Sequence, residues 1–222
     1  MSDNFSFVDS IYRSRITLLD ILADRGYDVT IYRKFSPAEA AAAIGVLSGL
    51  NFTVIKSAEE ERPEQKCHVR YIGSTTRAKL ETLFDDDINN DDTENTEIIV
   101  MMHAPLMDAH HSVALKQYMR MKELPTGDKI RAKLRVSFFN MEMIMVNPMK
   151  HVLVPEHTIV PEEEHKELMA SKYITSKSKF PEIKFHLDPI ARCIGAVPGD
   201  IIKITRPSAS SGVAIIYRVC AP

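Results

Sequence analysis

The 222-residue chain is 45% hydrophobic and 26% charged. That is ordinary usage for a packed globular protein and excludes a disordered, collagen-like or coiled-coil chain. No apolar run approaches the ~20 residues that cross a bilayer, so no membrane partner is expected. Met1-Ser2-Asp3-Asn4 lacks the basic-then-apolar pattern of a secretory signal. A formal net charge of −2 gives no overall basic face of the kind a protein gripping DNA alone presents. Three widely spaced cysteines, Cys67, Cys193 and Cys220, read as free thiols in a reducing compartment.

In chain order, apolar residues at Val8, Ile11, Tyr12, Ile16, Leu19, Leu22 and Ala23 repeat at helical steps and predict an opening helix, ended by Gly26. A short strand is expected over 29–32. Ser36-Pro37-Ala38-Glu39 carries the capping serine, first-turn proline and returning glutamate of a helix start. The alanine-rich segment after it predicts helix to about Leu47. Strand-like runs follow at 52–55, 68–72 and 98–102, with helices over 75–84 and 107–121. Further strands are expected at 136–139 and 143–146. Strands alternating with helices predict an α/β domain over 1–146.

The chain is extended at Asn147-Pro148, because a proline disfavours helix in the residue before it, and a second domain is placed over 147–222. There, Pro161-Glu162-Glu163-Glu164 opens a helix with carboxylates at the positive end of its dipole. Asp188-Pro189 opens a shorter helix closed by Gly195, and Pro198-Gly199-Asp200 turns the chain. Two β runs, 201–205 and 213–219, predict a hairpin in a small α+β module. Residues 147–222 hold 10 Lys and Arg against 8 Asp and Glu, and the first 146 hold 18 against 22, so the second domain is the more basic.

Sites for chemistry are few. The stretch from Asp85 to Glu97 holds seven carboxylates in thirteen residues. A calcium loop needs glycine at its sharp turn and a bidentate glutamate at its end. Counted from Asp85, those places hold Asn90 and Thr96, so a solvated, mobile loop is expected instead. His110 and His111 are adjacent and diverge on a helix, and His151 and His157 lack companion ligands, so no metal site is expected. There is no glycine-rich phosphate loop and no nucleophile elbow, so no cofactor and no catalytic residue is expected. One enzymatic alternative is a metal-dependent nuclease, in which Glu162 and Glu182 hold a divalent cation and Lys184 assists the attacking water. Capping alone also favours Pro161-Glu162 at a helix start.

The second domain resembles a known family. His151-Val152-Leu153-Val154-Pro155-Glu156-His157, then Phe180-Pro181-Glu182-Ile183 and Asp188-Pro189-Ile190-Ala191-Arg192, are similar to the fifth-largest subunit shared by nuclear RNA polymerases I, II and III. They are similar as well to the small archaeal RNA polymerase subunit that consists of this module alone. The likeness continues through Gly195, Gly199-Asp200-Ile201-Ile202-Lys203-Ile204, Arg206-Pro207-Ser208, Gly212 and Tyr217-Arg218. Tyr12-Arg13 and Asp24-Arg25-Gly26-Tyr27 resemble the start of the two-domain eukaryotic form. Ala196-Val197-Pro198 stands where members often carry two basic residues, and Ser208-Ala209-Ser210-Ser211-Gly212 has lost a carboxylate.

The resemblance implies a non-catalytic polymerase subunit in the nucleus. Its N-terminal domain would form part of the lower jaw beside downstream DNA, and its C-terminal assembly domain would dock on the largest subunit. Arg192, Lys203, Arg206 and Arg218 are then the expected partner contacts. Arg13, Arg15, Arg131, Lys133 and Arg135 are expected to face DNA phosphates.

Overall fold

The computed structural model describes residues 2–58, 63–73, 77–88, 92–123 and 128–222. They divide into two compact units, Met1–Asn147 and Pro148–Pro222. The first opens with α1 (Ser2–Asp24), whose Ile11, Leu18, Leu19 and Leu22 are fully buried. Gly26 ends it at φ 89°, the left-handed conformation glycine tolerates, and the Tyr27 N–H returns to Leu22 O at 3.0 Å. In α2 (Pro37–Ala42) the Ser36–Glu39 capping box is formed in both directions.

A four-stranded sheet follows, built from β1 (Phe52–Lys56), β2 (Gln65–Ile72), β3 (Thr96–Met102) and, later in the chain, β6 (Arg135–Asn140). β1 runs antiparallel to β2, whereas β2, β3 and β6 are mutually parallel. Parallel neighbours need crossovers. Between β2 and β3 lie α3 (Arg77–Thr82) and α4 (Asp85–Ile88), and between β3 and β6 lies α5 (Asp108–Met119). A separate ribbon pairs β4 (Met121–Glu123) with β5 (Lys129–Arg131). Every residue of β3 is buried, as a central strand covered on both faces requires. Phe138 of β6 meets Phe84 edge-on at 6.0 Å and lies 5.2 Å from the His110 ring of α5.

In the second unit, β7 (Glu156–Ile159), β8 (Glu182–Lys184), β9 (Ile201–Ser208) and β10 (Gly212–Ala221) form a sheet in the order β7-β9-β10-β8. α6 (His165–Ser171) and α7 (Pro189–Ile194) complete it. Val160, Phe180, Ile201 and Val219 form a buried cluster, backed by Leu168, Met169, Ile174 and Tyr217. Asp188 caps α7 by accepting from the Ile190 and Ala191 N–H groups at 2.8 and 2.9 Å. Gly195 closes it at φ 73°. The start and stop of α7 and the hairpin lie where the sequence puts them, whereas Pro161-Glu162-Glu163-Glu164 opens a 3-10 turn, Glu162–Glu164, and the α-helix begins only at His165.

Four expectations for the first unit are corrected. Residues 29–32 are not a strand, since Thr30–Lys34 form a turn of 3-10 helix. Asp28 Oδ1 accepts from the Thr30 N–H and hydroxyl at 2.9 and 2.6 Å, a local bond that competes with an extended chain. The alanine-rich helix ends at Ala42, and 3-10 turns carry the chain through Ala43–Gly45 and Leu47–Leu50. Between them Val46 sits at φ −141°, outside the helical region. Residues 143–146 are likewise not a strand. Glu142–Ile144 is a 3-10 turn, fixed by the Met143 N–H donating to Asn140 Oδ1 at 3.1 Å. The helix expected over 107–121 stops at Met119, and its last residue belongs to β4. The start of the helix expected over 75–84 lies outside the described residues.

The acidic stretch is also not merely solvated. Asn89, Asn90 and Asp91 lie outside the described residues, but most of the flanking carboxylates are engaged. Asp87 binds Arg70 through two hydrogen bonds of 2.8 and 2.6 Å. Asp85 binds Arg120 at 2.7 Å and Glu94 binds Lys133 at 2.5 Å. Glu97 is buried and accepts from the Arg25 guanidinium, with the Tyr27 hydroxyl at 3.4 Å. Burial pushes the Glu97 carboxyl upward, but Arg25 and Arg135 outweigh it and hold it below its ordinary value. Burial likewise opposes the Arg25 charge, and Glu97 more than offsets it, so the guanidinium titrates above its ordinary range. Burial and then Glu97 push the Tyr27 phenol up to about 12.

Removing one partner of a buried ion pair strands the other, at a cost of about 3–5 kcal/mol. Glu97→Gln should therefore lower unfolding free energy at neutral pH by about 3 kcal/mol, measured by denaturant titration. The carboxyl is depressed in the folded state, so its contribution is complete above the ordinary carboxylate range and fades as pH falls through the folded value. The variant should lose that part of the acid destabilisation, giving a flatter stability curve below neutrality. Parallel curves for the two proteins would contradict the pairing.

Candidate docking surfaces

Strand periodicity sorts the hairpin of the second unit into two faces. The register sets Ile201, Lys203 and Thr205 of β9 opposite Val219, Tyr217 and Ile215 of β10, and these pairs share the face that packs on α6. Beyond α6 that face opens to solvent, where Ile215 is 50% and Val213 57% exposed. Ile202, Ile204 and Arg206, with Arg218, Ile216 and Ala214 opposite them, point to the other side. The start of α7 borders that second face and leaves an open groove of about 540 Å³. His157, Ile183, Leu187, Asp188, Ile204 and Arg218 line it. The His157 ring donates from Nδ1 to Pro155 O at 2.7 Å, and Arg218 Nη1 donates to Glu182 O at 2.8 Å, so both side chains are held in place.

The four expected partner contacts are therefore not one cluster. Arg206 and Arg218 share the groove side of the sheet, whereas Lys203 points to the α6 side and is half-buried. Arg192 is only 6% exposed inside α7, where burial lowers its affinity for a proton. It underpins the unit and does not present its guanidinium to a partner. The sequence reading missed the reason: Asp188 and Gly195 fix the start and end of a helix whose Ile190, Ala191 and Cys193 are buried with it.

The basic residues expected to face DNA are also dispersed. Arg15 is 6% exposed. It donates from Nη1 to Leu50 O at 2.6 Å, and its guanidinium lies 4.5 and 4.3 Å from the Phe35 and Phe52 ring centres. A guanidinium held beneath two rings cannot reach a phosphate, so Arg15 leaves the DNA-facing set. Arg13 is exposed but paired with Asp9 at 3.0 Å, and Lys133 is paired with Glu94. Arg135 is half-buried in β6 beside the Glu97 cluster. Arg131 is exposed on the β4–β5 ribbon, and Lys129, two residues before it on the same side of β5, is exposed as well. That Lys129–Arg131 pair went unremarked in the sequence, although the alternation Lys129-Ile130-Arg131 contains it.

The residues of the nuclease alternative do not assemble a centre. Glu182 and Lys184, both exposed on β8, pair with each other at 3.1 Å, and Glu162 lies in the turn Glu162–Glu164. Among the described residues, no group of three or more His, Cys, Asp or Glu side chains is placed to hold a metal ion.

Comparison with known proteins adds an independent line. Residues 146–220 match the family model described as RNA polymerase Rpb5, C-terminal domain. A Dictyostelium discoideum protein named DNA-directed RNA polymerases I, II, and III subunit rpabc1 is 29% identical over 96% of this chain and 98% of its own length. The DNA-directed RNA polymerase subunit Rpo5 of Pyrococcus abyssi is 51% identical over 33% of this chain and 87% of its own length. A Caenorhabditis elegans protein, named as the RPABC1 subunit of the three polymerases, is 40% identical over 42% of this chain and 43% of its own length.

The placement of the two arginines predicts opposite phenotypes. Arg15→Ala forfeits a buried charge-assisted hydrogen bond and its contacts with the rings, and should cost about 2 kcal/mol of stability. Arg131→Ala, at an exposed ribbon, should change stability by no more than about 0.5 kcal/mol. Chemical denaturation of both variants checks the contrast, and equal effects would refute the assignment of Arg15 to the interior.

Proposed function

Because this chain belongs to the RNA polymerase Rpb5 family, we propose that it is a non-catalytic subunit of a DNA-directed RNA polymerase and works in the nucleus through the surfaces it offers to other subunits. The observation that carries this reading is the likeness to a shared polymerase subunit along 96% of the chain. The stronger identity to an archaeal polymerase subunit supports it. Glu162 and Glu182 lie on different elements and Lys184 is already spent in an ion pair with Glu182, so nothing supports the nuclease alternative.

In this reading the second unit is the assembly domain and docks on the largest subunit. Its exposed apolar residues Val213 and Ile215 and its groove beside Arg218 are what a partner would cover. The first unit forms part of the lower jaw. Its contribution to holding downstream DNA is electrostatic and local, and the β4–β5 ribbon with Lys129 and Arg131 is the surface best suited to it. The chain as a whole carries net charge −2, so no appreciable affinity for DNA is expected of it in isolation.

Affinity purification of the tagged chain from its own cells, read by mass spectrometry, should recover a polymerase largest subunit, and its absence would remove the proposal. With the complex in hand, Lys129→Glu combined with Arg131→Glu tests the jaw. Each lost phosphate contact should reduce the slope of log affinity against log salt by about 1. An unchanged slope for DNA binding by the assembled polymerase would remove the ribbon from the DNA path.

A further inference from the structure

We propose that the free edge of β10 accepts an extended, acidic segment of a neighbouring subunit as an added β-strand, with Ile215 and Tyr217 supplying the backbone hydrogen bonds. The inference rests on the polymerase-subunit reading and says how the second unit docks.

Parity along β10 decides which backbone groups face the edge. In an antiparallel pair, residues alternate between those that bond across the ladder and those that turn both backbone groups outward. Val219 donates its N–H to Pro181 O at 2.9 Å, away from β9, so it is an outward residue. Its partner Ile201 behaves the same way on the far side, accepting from the Val160 N–H at 2.8 Å. Counting back by twos, Tyr217, Ile215 and Val213 are outward as well. Pro207 agrees, because it stands opposite Val213 and a proline without an N–H suits a position that bonds nothing across the ladder.

On this edge β8 pairs only with Val219, Cys220 and Ala221. Val213 satisfies itself in the turn, its N–H donating to Ser211 O at 2.8 Å and its carbonyl accepting from the Ser211 hydroxyl at 3.2 Å. Ile215 and Tyr217 are left, among the described residues, with no strand on that side. An unpaired edge beside exposed apolar side chains is a template for strand addition.

Charge selects the occupant. Residues 201–222 contain Lys203, Arg206 and Arg218 and no acidic residue. Arg218 lies on the edge strand itself and Arg206 on the same face one strand further in, with Lys203 on the other face of β9, so the sheet beside this edge is positively charged. A second copy of this chain is the wrong occupant, since two such edges would bring like charges together.

Hydrogen exchange on the full chain, free and within the polymerase that it co-purifies with, reads the edge directly. Assembly should slow exchange of the Ile215 and Tyr217 amides at least about tenfold. The amides of Ala214 and Ile216, already bonded to β9, should change little. Ile215→Pro deletes an outward N–H without touching the β9 ladder, and should reduce incorporation at least about fivefold against the unaltered chain in competition. Ile215→Thr keeps the N–H and should incorporate within about twofold. Arg206→Gln with Arg218→Gln should weaken the salt dependence of assembly. Unprotected amides at 215 and 217 in a polymerase-bound chain would overturn the inference. So would equal loss in the Pro and Thr variants, unaltered salt dependence in the double variant, or protection that appears in the chain alone as its concentration rises. A chain that captures no polymerase at all would instead sink the functional reading beneath it.

Discussion

Alternation along β9 and β10 is the constraint that decides what the second unit exposes. One register decides which side chains share a face, and the same register decides which backbone groups are spent inside the ladder. It separates Lys203 from Arg206 and Arg218, leaves Val213 and Ile215 exposed beyond the reach of α6, and points Ile215 and Tyr217 at an open edge. A slip of one residue would exchange all of these roles. Gly212, at φ 70° where the three-residue turn re-enters β10, and Pro207, at an outward position, both fit this register. The fold therefore specifies a surface and an edge together.

Charge in the first unit follows a different logic, with much of it turned inward. Arg25 and Glu97 tie the end of α1 to the start of β3, and Arg15 fastens α1 to the segment before β1 through Leu50 O. Both arginines are placed by groups that satisfy them locally. A basic residue therefore signals a phosphate contact only after its neighbours have been counted. After that count, the exposed cations of β5 stand out because the ribbon sets them two residues apart on one side.

What the sequence discloses depends on how far apart the interacting residues are. The Ser36–Glu39 capping box, Asp188 ahead of α7, Gly195 behind it and the hairpin all rest on neighbours a few residues apart, and all can be read in advance. Local bonds that compete with a strand are harder to read. Asp28 holding Thr30, and Asn140 holding Met143, each turn an apolar run into a 3-10 turn. β7 and β8 are only four and three residues long, too short for a period to show. The acidic stretch hides for the opposite reason. Its partners lie 17, 35, 39 and 72 residues away, so a run that looks solvated is in fact the meeting point of distant basic residues. The same distance conceals Arg15, whose rings come from three separate segments.

The two units thus offer different surfaces to the proposed partners. In the second, a sheet of short strands flanks one long hairpin, and the hairpin outruns its neighbours, leaving apolar side chains and unpaired backbone in water. Covering them removes an exposed edge that would otherwise invite wrong pairings. In the first, the strands of the sheet are paired across β2, β3 and β6 and many charges are matched internally, although Ile31, Val46 and Val146 remain exposed. What it can offer is a small field at one ribbon. A field of that kind is screened within about 10 Å at ordinary salt. It can act on nucleic acid only where a larger assembly has already brought the duplex to it. Under the proposed function, docking by the second unit therefore comes first, and any contact of the first with DNA depends on it.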